Sequence, residues 1–313
     1  MSNYLAFDIG GTEIKYGLLT ESGDILEKGI FTTVRNSGEA ILQAILAKVS
    51  LFPSLGGIAL SAPGFVNNET GFIELGGAIK DFDGFNIKNY LEEVTKLPVT
   101  VENDVNCVAL AEKWKGKAKD HQHFLCMTVG TGVGGAIFIN DQLYRGVSFG
   151  AGEFGYMITH GAKSGAALKN TLSWNGSITG IRERYAARKG LQAADLTGLN
   201  IFQAYEAGDS IALLEVERFY DSLAIGIHNL YFLFNPSKIL IGGAVSVREE
   251  LIPELRRRVT SLNGYIKGDC IEACEWNNDA GMIGALYHHH QTYVQEGRNS
   301  HGRDGSGSVS DYQ

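Results

Sequence analysis

Cysteine is scarce in this chain, with four among 313 residues: Cys107, Cys126, Cys270 and Cys274. None forms a Cys-x-x-Cys pair, and the last two are separated by three residues. That excludes a disulfide framework and reads as core thiols of a reducing, cytoplasmic compartment. Positive charge is also in deficit. The 27 Lys and Arg against 35 Asp and Glu give a formal charge of -8, which argues against broad binding to nucleic acid or to an anionic membrane. A small polyanion held by glycine-rich backbone remains open. The most apolar helical stretch, LAIGIHNLYFLF at 223 to 234, is too short to span a bilayer. Glu215, Glu217, Arg218 and Asp221 upstream mark it as part of a soluble helix. No basic segment followed by an apolar one begins the chain, so a secretory leader is not expected. No Gly-Lys-Ser/Thr follows a glycine turn, which rules out a Walker A loop. The dinucleotide fingerprint fails too, because the first two glycine turns lead into strands.

What is present is 44% hydrophobic residues, enough for two ordinary α/β domains with separate cores. YLAFDIGG (4 to 11) and IKYGLLT (14 to 20) read as a hairpin, and GDILEKGIF adds a third strand. EAILQAILAKV (39 to 49) has helical spacing, GGIALSAPG is a short strand, and a helix is expected over 86 to 94. A strand over 97 to 101 is expected to end at Glu102-Asn103-Asp104, with a helix from Asp104 to about Gly116. The layout then restarts: HFLCMTVGTGVGGAIFIN (123 to 140) repeats strand, glycine turn and strand. Residues 201 to 234 read as mostly helical, KILIGGAV (238 to 245) as a strand ending at glycines, and DAGMIGALYHH as a closing helix. The expected domains are 1 to 116, completed by a helix over 279 to 293, and 117 to 278. The Gly/Ser-rich segment 296 to 313 has nothing to bury and is expected to lack structure.

Three strand-to-glycine junctions organise the chain: Asp8 to Thr12, Gly130 to Gly135, and Gly242-Gly243. Glycine lets backbone N–H groups converge on an anion and permits positive φ, so phosphates are natural guests; tight hairpins are the plain alternative. Asp8, beside Gly10 and Gly11, is placed to hold Mg²⁺ through water, and Thr12 to donate to a phosphate. Lys15 is either near that site or a solvated strand lysine. Asp104 suits a general base, and Asn103 can donate to and accept from a vicinal diol; either could simply cap the following helix, and both roles can coexist. His288, His289 and His290 point in different directions on a helix and are expected at a solvated end. The stretch GAGEFGYMITHGAKSG (150 to 165) sets Glu153 among glycines and contains a lone His160.

Taken in order, DIGGTEIKYGL, SAPGFV, VENDVNCVALAE, TVGTGVGGAIF, GAGEFGY and LIGGAV resemble the motifs of the ROK family of sugar kinases and related repressors, over roughly residues 4 to 290. The resemblance implies an actin-like, ribonuclease H-like duplicated α/β fold with two domains and an interdomain cleft. It implies transfer of the ATP γ-phosphate to a hexose 6-hydroxyl. Asp8, Gly10, Gly11, Thr12, Lys15, Thr131 and Gly132 would serve the phosphates and Mg²⁺, with Gly242 and Gly243 near the nucleotide. Asn103, Asp104 and Glu153 would bind the sugar, Asp104 as base, with Ala62, Pro63 and Gly64 at the pocket edge and Gly76-Gly77 nearby. A homodimer is implied by the resemblance alone.

Two departures bear on substrate. The family's Glu-x-Gly-His motif ends here in Tyr156, and the following segment has none of the cysteines that complete a structural zinc site, so no zinc is expected. Tyr156 is instead available to a sugar hydroxyl or ring face, or for packing the loop. The family's second sugar-facing glutamate is replaced near Lys169 and Asn170. Glucose or a β-glucoside is the expected acceptor, with N-acetylmannosamine as the alternative. A non-catalytic sugar-binding regulator is a further alternative; a repressor is not expected, as no helix-turn-helix precedes Tyr4.

Overall fold

The computed structural model describes residues 2–11, 13–32, 37–161 and 167–301, with backbone only for 167 and 294–301. The chain divides into two units, Met1–Leu110 with Gly281–Gln313, and Ala111–Ala280. The division falls inside a helix, six residues before the expected boundary at 116.

In the first unit, β1 (Asn3–Ile9), β2 (Glu13–Thr20) and β3 (Ile25–Thr32) form an antiparallel meander. Next comes α1 (Gly38–Val49), capped by the Ser37 side chain accepting from the Ala40 N–H; it buries Ile41, Leu42, Ile45 and Val49 at helical spacing. β4 (Leu55–Ala62) lies parallel to β1. Three short strands, β5 (Phe65–Asn67), β6 (Phe72–Leu75) and β7 (Phe85–Asn86), make a small separate sheet. α2 (Ile87–Thr95), capped by Asn86, leads to β8 (Val99–Asn103) and α3 (Asp104–Lys115). The main sheet has the order β3-β2-β1-β4-β8. β8 runs two residues beyond its expected end, because Glu102 and Asn103 pair with Ser61 and Ala62.

The second unit repeats this plan. β9 (Phe124–Val129) and β10 (Val133–Ile139) form the hairpin, and β11 (Gln142–Leu143) extends it. α4 (Leu172–Gly176), α5 (Ile178–Lys189), α6 (Gly198–Glu206) and α7 (Ser210–Phe234) follow. The helical stretch expected over 201 to 234 is broken, since Gly208 takes φ +80° and Asp209 caps a new helix through Ile211 and Ala212. α7 fully buries Val216, Phe219, Leu223 and Ile227, each worth roughly 1.5–3 kcal/mol of transfer free energy. β12 (Lys238–Gly242), α8 (Leu251–Leu262) and β13 (Ile271–Ala273) complete the sheet, in the order β11-β10-β9-β12-β13.

The chain closes with α9 (Ala280–His301), which from Gly281 onward belongs to the first unit. The helix thus includes the first residues of the segment expected to lack structure; residues 302–313 lie outside those described. The three histidines correct the expectation of a solvated end. His288 and His289 are 4% and 2% exposed, and His289 Nδ1 lies 3.0 Å from Thr100 Oγ1. The helix continues well past them, so they fall mid-helix, and His289 packs over Gly57 on β4. Burial first, then neighbouring His290, His288 and Lys88, lower its pKa from 6.5 to about 3.

Candidate active site

At the carboxyl ends of β1 and β4, register places Asp8 between Lys15 and Ser61. Ser61 Oγ donates to Asp8 Oδ1 at 2.7 Å, and Lys15 Nζ stands 3.5 Å from Oδ2. Lys15 is therefore drawn to Asp8 and is not a solvated strand lysine. Gly281 of α9 allows the helix to pass against this carboxylate, where any Cβ would collide with it. Gly10 and Gly11 do not take left-handed φ. Gly10 is required for closeness instead, since a Cβ there would meet the Glu13 carbonyl at 2.9 Å. Thr12 lies outside the described residues.

One strand further, Asn103 is the cap of α3. Its Oδ1 accepts from the Val105 and Asn106 N–H groups at 2.9 and 3.1 Å, and its Nδ2 donates to the Gly64 carbonyl at 3.0 Å. Both acceptor positions are thus used, and at most one amide hydrogen is left for a ligand. The helix-cap role expected for Asn103 is thus present, and its free amide hydrogen remains for a sugar hydroxyl. Its bond to Gly64, which takes φ +96°, joins the Ala62-Pro63-Gly64 loop to the start of α3. A Cβ on Gly64 would also strike the Gly76-Gly77 loop. Asp104, half-buried, opens the helix beside this junction.

In the second unit, the glycine turns after β9 and β12 lie at the same end of the sheet, because the two strands are parallel neighbours. Gly243 takes φ +86°, and a Cβ there would lie 2.5 Å from the Val129 carbonyl; only glycine lets β12 turn beside β9. The β9–β10 turn is tied to the helices: the Gly130 carbonyl accepts from the Ile178 N–H at 2.9 Å, and the Val133 N–H donates to Ser173 Oγ at 3.1 Å. The amino end of α5, capped by Ser177, thereby sits against the Gly130-Thr131-Gly132 turn. The Ile178 N–H is taken by that carbonyl and the Gly180 N–H by Ser177 Oγ, and the helix dipole favours an anion at this end.

Glu153 is positioned by its neighbours. Gly152 takes φ +91°, with no room for a Cβ against the Gly135 carbonyl, and Phe154 buries its ring over Gly135. The carboxyl is thus fixed beside β10, and burial raises its pKa. Glu153 and Thr131 line one cavity of about 380 Å³, together with Tyr156, Thr171, Ser173 and Trp174. Tyr156 is 63% exposed, so it lines the cavity and does not serve to pack the loop. Ser177, Thr179 and Gly180 complete the α5 side. Among the described residues, no group of three or more His, Cys, Asp or Glu could hold a metal ion. His160 lies in the other direction, beside Asp221 and Arg258. No described helix is long and apolar enough to cross a membrane.

Residues 4–292 match the ROK family. The chain belongs to the ROK family. A β-glucoside kinase of Klebsiella pneumoniae is 43% identical over 288 residues, covering 92% of this chain and 96% of that protein. Among solved structures, a Listeria monocytogenes protein named as a candidate N-acetylmannosamine kinase superposes with a TM-score of 0.88 at 40% identity, over 93% and 99% of the two chains. A ROK family glucokinase from Streptomyces griseus, in complex with glucose and AMPPNP, gives 0.76 at 27% identity, over 91% and 98%. The duplicated α/β fold of this ROK protein is thus the family fold.

The sequence reading of this ROK chain did not find Thr171, Ser173, Trp174, Ser177, Thr179 or Gly180. The signal available was the run TLSWNGSITG, whose Thr171 and Ser177 each cap a helix through Trp174 and Gly180.

Proposed function

We propose that this protein is an ATP-dependent sugar kinase, a phosphotransferase that moves the γ-phosphoryl group of ATP to the 6-hydroxyl of glucose or a β-glucoside. The observation that carries the reading is the single cavity that joins Glu153 to Thr131 and the amino end of α5. A carboxylate suited to sugar hydroxyls there shares a space with a turn and helix end suited to phosphate. The kinase relatives support the chemistry, and the β-glucoside kinase at 43% identity favours a β-glucoside acceptor.

In this mechanism Asp104 accepts the proton of the 6-hydroxyl as its oxygen bonds to the γ-phosphorus, while the bond from that phosphorus to the β–γ bridging oxygen breaks and ADP leaves. Asn103 and Gly64 set the position of Asp104, and Glu153 and Tyr156 bind sugar hydroxyls. Thr131, Gly132, Gly242, Gly243, Gly10 and Gly11 let the nucleotide phosphates approach the backbone. One carboxylate, Asp8, fits the way Mg²⁺ is usually held beside a nucleotide, by one or two carboxylates with water and phosphate completing its shell. The ion neutralises phosphate charge when bound, and Lys15 adds positive charge beside it. Zinc has no part in the reading. A homodimer completes it, supported by an exposed aromatic cluster on the second unit, Phe232 over Tyr265 with centroids 6.1 Å apart, beside exposed Leu233.

N-acetylmannosamine is the second reading, favoured by the name of the Listeria structure. An ADP-release screen with glucose, cellobiose, mannose, fructose, N-acetylglucosamine and N-acetylmannosamine decides between them. Release with glucose and cellobiose is expected. Release only with N-acetylmannosamine overturns the acceptor, and binding of sugar without any ADP makes the protein a regulator.

A further inference from the structure

The cavity of the second unit has an apolar part that transfer to a free hexose leaves unused. Tyr156 and Leu168, 63% and 72% exposed, line it with Trp174. The hydroxyls and carboxylate of a hexose site need polar partners, whereas the ring faces of Tyr156 and Trp174 and the side chain of Leu168 also gain from an apolar surface laid over them. Pyranose rings offer such surfaces in their C–H faces. A volume of about 380 Å³ lies within the range of small-molecule clefts.

The placement of Trp174 is rigid. Its carbonyl accepts from Arg184 Nη1, and next to it Asn175 is fully buried. Asn175 Nδ2 donates to the Thr171 carbonyl at 2.8 Å and the Lys169 carbonyl at 3.2 Å, and its Oδ1 accepts from Arg218 Nε at 2.9 Å. Arg184 is held in turn by Glu215, at 2.6 Å and fully buried. Removing so many polar groups from water is costly unless each finds its partner, and the satisfied network fixes one geometry. That geometry fixes the Trp174 backbone beside the cavity that the residue lines, with Lys169 Nζ 5.9 Å from the indole ring. A preorganised aromatic wall binds a ring without an ordering cost.

We propose that Trp174, with Tyr156 and Leu168, forms a subsite for the second ring of a glycoside, so that the protein discriminates a disaccharide β-glucoside from free hexose. The inference rests on the sugar-kinase reading above and names the group that selects the acceptor. The test compares the full chain with Trp174→Ala and Trp174→Phe, measuring kcat and KM by ADP release with cellobiose and with glucose. Trp174→Ala should lower the cellobiose-to-glucose ratio of kcat/KM by about 10-fold or more, mainly through the KM for cellobiose, with Trp174→Phe recovering most of it. An unchanged ratio, including an equal loss on both sugars, overturns the subsite. If the wild-type chain releases no ADP with either sugar, the kinase reading fails by itself. Calorimetric binding of cellobiose and glucose to the same three proteins then decides the subsite by the same ratio of affinities.

Discussion

Across the first sheet, register sets Lys15, Asp8, Ser61 and Glu102 side by side on β2, β1, β4 and β8. At the corresponding positions of the second sheet, on β10, β9 and β12, stand Gly134, Thr128 and Gly242. Strand order and direction are the same in both, so the backbone frame has been used twice with different chemistry at its strand ends. One end concentrates charge, suited to proton transfer and a divalent cation. The other removes side chains, so that backbone, hydroxyls and a helix start are left to meet phosphate. The hairpin-and-parallel frame itself favours neither use; the residues that register aligns at one end of each sheet decide.

Breaking the charged end is expected to have the largest effect. Asp104→Asn should reduce kcat by roughly two to four decades with the melting temperature nearly unchanged, as fits loss of a general base. Near-normal turnover, read by ADP release, removes Asp104 from that role. Making the second end resemble the first comes next. Thr128→Asp sets a carboxylate where Asp8 has its counterpart, without a lysine beside it. Repulsion of the triphosphate should raise the KM for ATP by about 10-fold, more at low ionic strength than at high. A KM insensitive to the change places the phosphates elsewhere.

The smallest effect concerns stability, and it separates the units by pH. His289 stays neutral in the fold, with its pKa lowered from 6.5 to about 3. Between those values the unfolded chain binds a proton that the folded chain does not. Its share of stability is therefore complete above pH 6.5, and falls by about 1.4 kcal/mol per pH unit as pH drops below it. In the second unit, Arg257 and Arg258 hold the Glu254 carboxyl down to about 2 from 4.5. That contribution persists above pH 4.5 and is lost only as pH falls from there toward 2. Hydrogen exchange between pH 7 and 5 should thus show β1 and β4, which pack against His289, losing protection as pH falls. His289→Gln should flatten the first unit's dependence, and an unchanged slope contradicts the assignment.

Much of this was legible in the sequence. The two hairpins and their glycine junctions follow from strand periodicity interrupted at fixed places, and Asp8, Gly10, Gly11, Thr131, Gly132, Gly242 and Gly243 fall at those junctions. β5, β6 and β7 were not legible, because strands of two to four residues are too short to show a period of two. α4 and α5 were hidden because their sequence is organised by the caps Thr171 and Ser177, with little apolar repeat, and the cavity wall was hidden with them. The histidines misled because adjacent polar residues near a chain end usually meet water. Here α9 runs on past them and the missing side chain at Gly57 makes room for an imidazole. The double use of Asn103 required knowing where Gly64 lies, which is a tertiary fact.

The central claim is that the protein transfers the γ-phosphoryl group of ATP to a sugar hydroxyl. Phosphorus NMR of the wild-type protein with ATP, Mg²⁺ and cellobiose or glucose tests it most directly. The account predicts a sugar 6-phosphate resonance growing in step with ADP. Unchanged ATP, or ADP accompanied by inorganic phosphate in place of a sugar phosphate, would contradict it.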